Sequence, residues 1–210
     1  MPGFDYAYPW MGIGDFSGVE NGSSPLEISL PSSNNRDMGG WYAWQRIQTV
    51  FSFGGSKHLT ISLGSADSSD DSVTYYTAAF QVVLENADSS VSVVRAADAA
   101  QTSFNVNTDN PISIYSGTAN FGTRDTGALD SVRTNILRVS SGAVLNTYVK
   151  SFEVGVGNGS RYATIAGVWN FQVAEIPADG ALITVAGNCS TQGGMINFDF
   201  TDFNLSEGVY

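Results

Sequence analysis

Apolar residues alternate with polar ones along most of this chain, in short stretches bounded by Gly, Asn, Asp and Ser. Period-two spacing puts successive side chains on opposite faces of an extended backbone, so the pattern predicts many short, half-buried strands. "PLEISLP" (25–31) sets Leu26, Ile28 and Leu30 on one side between two prolines, and "HLTISLG" does the same with Leu59, Ile61 and Leu63. Further strands are expected in "VTYYTAAFQVVLE" (73–85), "VSVVRA", "SFNVN", "ISIYS", "VLNTYVKSFEVGVG", "ATIAGVWNFQVAEI", "ALITVAG" and "MINFDFTDFNL". A helix competes only over "TGALDSVRTNILRV", where Leu129, Val132 and Ile136 fall at helical spacing; a short helix after Thr126 and a further strand both remain open. Strands do not alternate with long helices, which argues against a parallel α/β sheet and leaves a β-sandwich, a jelly roll or a closed barrel.

The similar turns "LGSADSS" (63–69) and "LENADSS" (84–90) are not echoed elsewhere at the same offset, so a repeat architecture is not expected. In the closing segment Ile196, Phe198 and Phe200 share one face, and Phe203 and Leu205 continue on the opposite parity. A phase shift at Thr201-Asp202, as in a β-bulge, accounts for the change. This "INFDFTDFNLSEG" ending resembles the last strand of jelly-roll and lectin-like sandwich domains, which include carbohydrate-binding modules and virion proteins. The fold class expected is therefore all-β, an antiparallel β-sandwich of the jelly-roll type. Residues 1–24 form an aromatic-rich N-terminal arm and 25–210 a single domain, a size that one core can serve.

Composition narrows the partners. The chain has 9 basic and 20 acidic residues and a net charge of −11. Clustered cations are what a nucleic-acid groove needs, so direct nucleic-acid binding is not expected. No segment is apolar enough for a membrane span, and "MPGFDYAYPWMGIG" lacks the basic start and apolar run of a secretory signal. Synthesis in a cytoplasm is expected. The sole cysteine, Cys189, cannot form an internal disulfide.

The stretch "GGWYAWQRIQTVFSF" (39–53) concentrates candidate contact residues. As a strand it puts Trp41, Ala43, Gln45, Ile47, Thr49, Phe51 and Phe53 on one side, which belongs in the core. Tyr42, Trp44, Arg46 and Gln48 share the other. That face can stack on a sugar and bond its hydroxyls, can serve a protein interface, where Trp, Tyr and Arg are enriched, or can be covered from within. The arm tilts the balance toward protein contact, because Phe4, Tyr6, Tyr8, Trp10 and Phe16 would be an aggregation hazard unless docked on the domain or on a neighbour.

Catalytic signals are sparse, and no enzyme is expected. "DTGA" (Asp125 to Ala128) matches the aspartic-protease tetrapeptide, but it follows "GTR" instead of an apolar strand and has no second copy, so a turn is the simpler reading. His58 is the only histidine and fits a strand-edge surface residue; with one Cys it rules out the usual zinc sites. "DSSDDS" places Asp67, Asp70 and Asp71 in one loop, a weak candidate for Ca²⁺ and otherwise a solvated turn. "NVNTDNP" has Asn105, Asn107 and Asp109 in the register of a Ca²⁺ loop, but Ser116 stands where the bidentate Glu should be. No other cofactor is expected.

In composition the chain resembles viral and phage jelly-roll structural proteins. That resemblance implies a capsid or capsid-decoration subunit in a virion, assembling with copies of itself and with other virion proteins. The alternative is a carbohydrate-binding jelly-roll module of a fibre or adhesin.

Overall fold

At two places, Gly117 and Asn135, one strand is separated from the next by a single residue, and one residue cannot reverse a chain into a hairpin, whose commonest loop has two. The chain turns a corner instead and keeps winding. In the computed structural model, which describes residues 12–13, 26–30, 44–51, 58–63, 73–84, 88–96, 102–106, 111–155, 159–178 and 180–203, these corners build a parallel β-solenoid of about 4 turns.

The strands are β1 (Gly12–Ile13), β2 (Leu26–Leu30), β3 (Trp44–Phe51), β4 (His58–Leu63), β5 (Val73–Leu84), β6 (Ser90–Arg95), β7 (Thr102–Val106), β8 (Pro111–Ser116), β9 (Thr118–Phe121), β10 (Leu129–Thr134), β11 (Ile136–Val139), β12 (Val144–Val154), β13 (Tyr162–Ile165), β14 (Val168–Val173), β15 (Ile183–Val185), β16 (Asn188–Ser190) and β17 (Met195–Asp199). Every ladder joining them is parallel. Three faces result. The first stacks β2, β4, β6, β9, the start of β12, β14 and β17. The second stacks the start of β5, β7, β10, the end of β12 and β15. The third stacks the end of β5, β8, β11, β13 and β16.

Corner chemistry is local. Gly117 alone separates β8 from β9 at φ 74°, and a Cβ there would lie 2.6 Å from the Leu84 side chain. Only glycine serves, because this backbone region is strained for other residues and the space is already filled. Inside the coil, equivalent positions stack turn on turn. Val93, Phe121, Thr147, Phe171 and Phe198 form one such row, and Val91, Ala119, Leu145, Trp169 and Ile196 another. Phe121, Phe171, Leu145 and Val93 are wholly buried, each such side chain contributing about 1.5–3 kcal/mol. Trp169 packs against Phe152 at 4.9 Å between ring centroids and donates its indole N–H to Thr147 Oγ1 at 3.0 Å.

The antiparallel jelly-roll sandwich is thus overturned, and with it goes the likeness that supported the virion and capsid reading. The cause is physical. Most parallel sheets are covered on both faces and read as continuous apolar runs, whereas alternation is usual for antiparallel sheets with one wet face. A solenoid is a parallel sheet wound so that every strand keeps one wet face, so it alternates too. The repeat architecture set aside above is present, but its period varies: equivalent residues on the first face lie 28, 26, 24 and 27 positions apart. Residues 126–139 hold two strands, β10 and β11, parted at Asn135, and no helix. "ATIAGVWNFQVAEI" breaks at Ala166 and Gly167 into β13 and β14. The shift at Thr201-Asp202 is a turn, not a bulge, with Phe203 N–H donating to the Phe200 carbonyl at 2.9 Å. Of the proposed arm, Gly12 and Ile13 are described and pair with Gln48 and Thr49 of β3. Among the described residues no helix is long and apolar enough to cross a membrane.

Candidate functional site

The outward positions of the first face carry the same side chain in turn after turn. Asn120 on β9, Asn146 on β12, Asn170 on β14 and Asn197 on β17 are register partners. The Nδ2 of each donates back along the axis: Asn197 to Asn170 Oδ1, Asn170 to Asn146 Oδ1 and Asn146 to Asn120 Oδ1, all at 2.8 Å. Asn120 ends the run on Ser92 Oγ, again at 2.8 Å. All the donors point one way, so the amide dipoles align and polarise one another. A primary amide has two N–H donors and two acceptor lone pairs. The ladder uses one of each at Asn146 and Asn170, leaving the others on the wet side.

Beside this ladder runs a second outward row of Tyr148, Gln172 and Asp199. Over the row arches the turn that follows β9. Gly122 starts it at φ 72°, where a Cβ would lie 2.2 Å from the Tyr148 carbonyl oxygen. Thr123 and Gly127 bridge, Thr123 Oγ1 lies 2.8 Å from Thr126 Oγ1, and Thr126 N–H donates to Thr123 Oγ1 at 3.2 Å. The turn projects Arg124 toward the last strand, where its Nε donates to Asp202 at 2.7 Å and its Nη2 to Asp199 at 3.0 Å and Thr201 Oγ1 at 3.1 Å. Its guanidinium also lies 6.0 Å from the centre of the Tyr148 ring.

Between the amide ladder and the Arg124 arch lies a groove of about 460 Å³ lined by Asn120, Thr123, Arg124, Asn146, Asn170, Gln172, Asn197 and Asp199. Asp199 is held down to about 2 by the hydroxyl and backbone N–H of Thr201 and by Arg124, and Arg124 is raised by its bonds to Asp202 and Asp199. The groove therefore keeps an ionised carboxylate where a general acid would need a raised one. Among the described residues no group of three His, Cys, Asp or Glu could hold a metal. Beside the Arg124–Asp199 ion pair, the groove offers a row of neutral amides in register with the turns.

The sequence pointed elsewhere. Trp44, Arg46 and Gln48 fall on β3, with a register shift between Gln45 and Ile47. Tyr42, the arm residues Phe4, Tyr6, Tyr8, Trp10 and Phe16, and the loop carboxylates Asp67, Asp70 and Asp71 lie outside the described residues. Asp125 to Ala128 form part of the Arg124 turn, as the turn reading has it. His58 opens β4, exposed, with Nδ1 2.8 Å from Ser90 Oγ. Ser116 donates to the Leu84 carbonyl at 2.7 Å and accepts from its N–H at 3.0 Å, so its hydroxyl is committed to the backbone.

The four asparagines were not singled out, although a signal exists. "TANF", "VLNT", "VWNF" and "MINF" each follow a glycine by at most two residues and end on Asn and an inward residue. Comparisons with known families, with curated proteins and with solved structures find no match.

Proposed function

We propose that this chain is a glycan-binding β-solenoid module, not an enzyme, whose groove takes a linear uncharged glycan lying along the solenoid axis. The observation that carries this reading is the ladder of Asn120, Asn146, Asn170 and Asn197 opening onto the groove. Adjacent parallel strands lie about 4.8 Å apart, so the ladder offers a repeating ligand one donor and acceptor set per turn. Hydroxyl-rich chains match amides, which give and accept with equal ease. Charge argues against an anionic ligand, because Arg124 is already bonded to two carboxylates and the chain carries −11.

Calorimetric titration of the full chain with maltohexaose, cellohexaose and chitohexaose tests the reading. At least one should bind, and Gln172→Ala should weaken it about three- to tenfold, the worth of one hydrogen bond. Absence of heat with all three uncharged oligomers, with the circular dichroism of a folded β protein, would overturn it.

A further inference from the structure

The last turn of the solenoid exposes what every earlier turn covers. β15, β16 and β17 pair with β12, β13 and β14 on one edge, and on their other edge no described strand lies. Phe198 belongs to the inward row of Phe121 and Phe171, which are wholly buried, yet it is 50 % exposed because the row ends there. Phe198 sits 5.8 Å from the Phe171 ring below it, and Phe200 stacks beside it at 6.5 Å and is 36 % exposed. Met195, on the same strand, is 57 % exposed. An apolar, unpaired strand edge is a template for another chain.

We propose that the surface made by β15 to β17 receives a second copy of this chain, stacked head to tail so that β17 of one copy pairs in parallel with β2 of the next. The register argues for this occupant. β2 is the opposite end of the same face, and among the described residues it pairs only with β4. Leu26 and Ile28 stand at the register positions of Leu59 and Ile61, which continue through β6, β9, β12 and β14 to Ile196 and Phe198. A copy set on β17 therefore meets β2 with strand direction and register already in phase, and the two rows of register positions run on across the joint. An unrelated edge strand has no reason to match either. Such a contact joins different surfaces of the two copies, and because the copies are stacked along the solenoid axis it extends into a filament instead of closing into a ring. The charge of −11 per copy opposes it, and added salt relieves that repulsion.

Sedimentation velocity of the full-length chain, over a range of concentration at low and high salt, reads the outcome. A series growing by whole copies beyond the dimer, and shifted upward by salt, is expected. Phe198→Lys should sediment as a monomer while keeping the wild-type circular dichroism. Because its β2 edge is intact, a minor fraction of this variant mixed into wild type should shorten the assemblies as a chain terminator. If the lysine variant does not fold, Met195→Lys changes an exposed side chain on the same edge strand and should weaken stacking in the same direction. A wild-type chain that stays monomeric at high salt, a series that stops at the dimer, or folded variants that assemble as wild type does would each overturn the proposal.

Discussion

At the residue scale the Arg124 arch is held by charge and the interior by shape. Asp199 accepts from the Thr201 hydroxyl, the Thr201 N–H and Arg124, which lower it from 3.8 to about 2. Because folding lowers this pKa, its contribution is present above 3.8 and is lost as pH falls through about 2. Carboxyl resonances followed by NMR should therefore place the Asp199 midpoint near 2, and Thr201→Val should move it up toward the ordinary value. In the core, Thr147 stands in an aromatic row and accepts the Trp169 indole N–H at 3.0 Å, both residues being buried. Thr147→Val keeps the volume but strands that donor, and an unsatisfied buried group costs about 1–3 kcal/mol. Urea unfolding should show a loss of that size with an unchanged slope. The alternation of the sequence put Thr147 and Trp169 within strands, but it could not show that they meet, since they lie 22 positions apart.

At the element scale the amide ladder behaves as a chain with a middle and an end. Asn146 makes two ladder bonds, accepting from Asn170 and donating to Asn120, whereas Asn197 makes only the one to Asn170. At about 0.5–1.5 kcal/mol per bond, Asn146→Ala should cost about twice what Asn197→Ala costs in denaturant midpoint at constant slope. Equal losses would mean that the ladder follows the fold without stabilising it. The strands themselves were legible: β2, β4, β5, β6 and β8 lie where alternation predicts them. Residues 126–139 were ambiguous because Leu129 and Val132 are both buried though three apart. Between them Asp130 turns outward to Lys150 at 2.9 Å and to the Thr102 N–H at 2.6 Å, which interrupts the strand's alternation.

At the scale of the whole molecule a solenoid is quasi-one-dimensional, each turn touching only its neighbours. Its two ends differ from its middle, so the exposed Phe198 and the salt-dependent stacking proposed for it are properties of the molecule and not of any strand. The groove is likewise a whole-molecule feature. Arg124 and Asp199 are 75 residues apart and meet because three turns of coil bring β17 under the arch that leaves β9. A fixed-offset search for repeats misses this arrangement, since corners of different length let the period drift between 24 and 28.

Alternation and composition were enough to show that the chain is all-β, where most strands fall, which side of each is apolar, and that clustered cations for nucleic acid are absent. All of these are local or compositional, carried by side chains one or two positions apart. The tertiary structure alone decided that the strands run parallel, that four asparagines stack into one ladder, and that one turn's arginine closes a groove with the carboxylates near the last strand. Period-two alternation records that one face of a strand is wet and is silent about which strand lies beside it. Pairing direction and register are set by the length of chain between strands and by the corner each glycine permits.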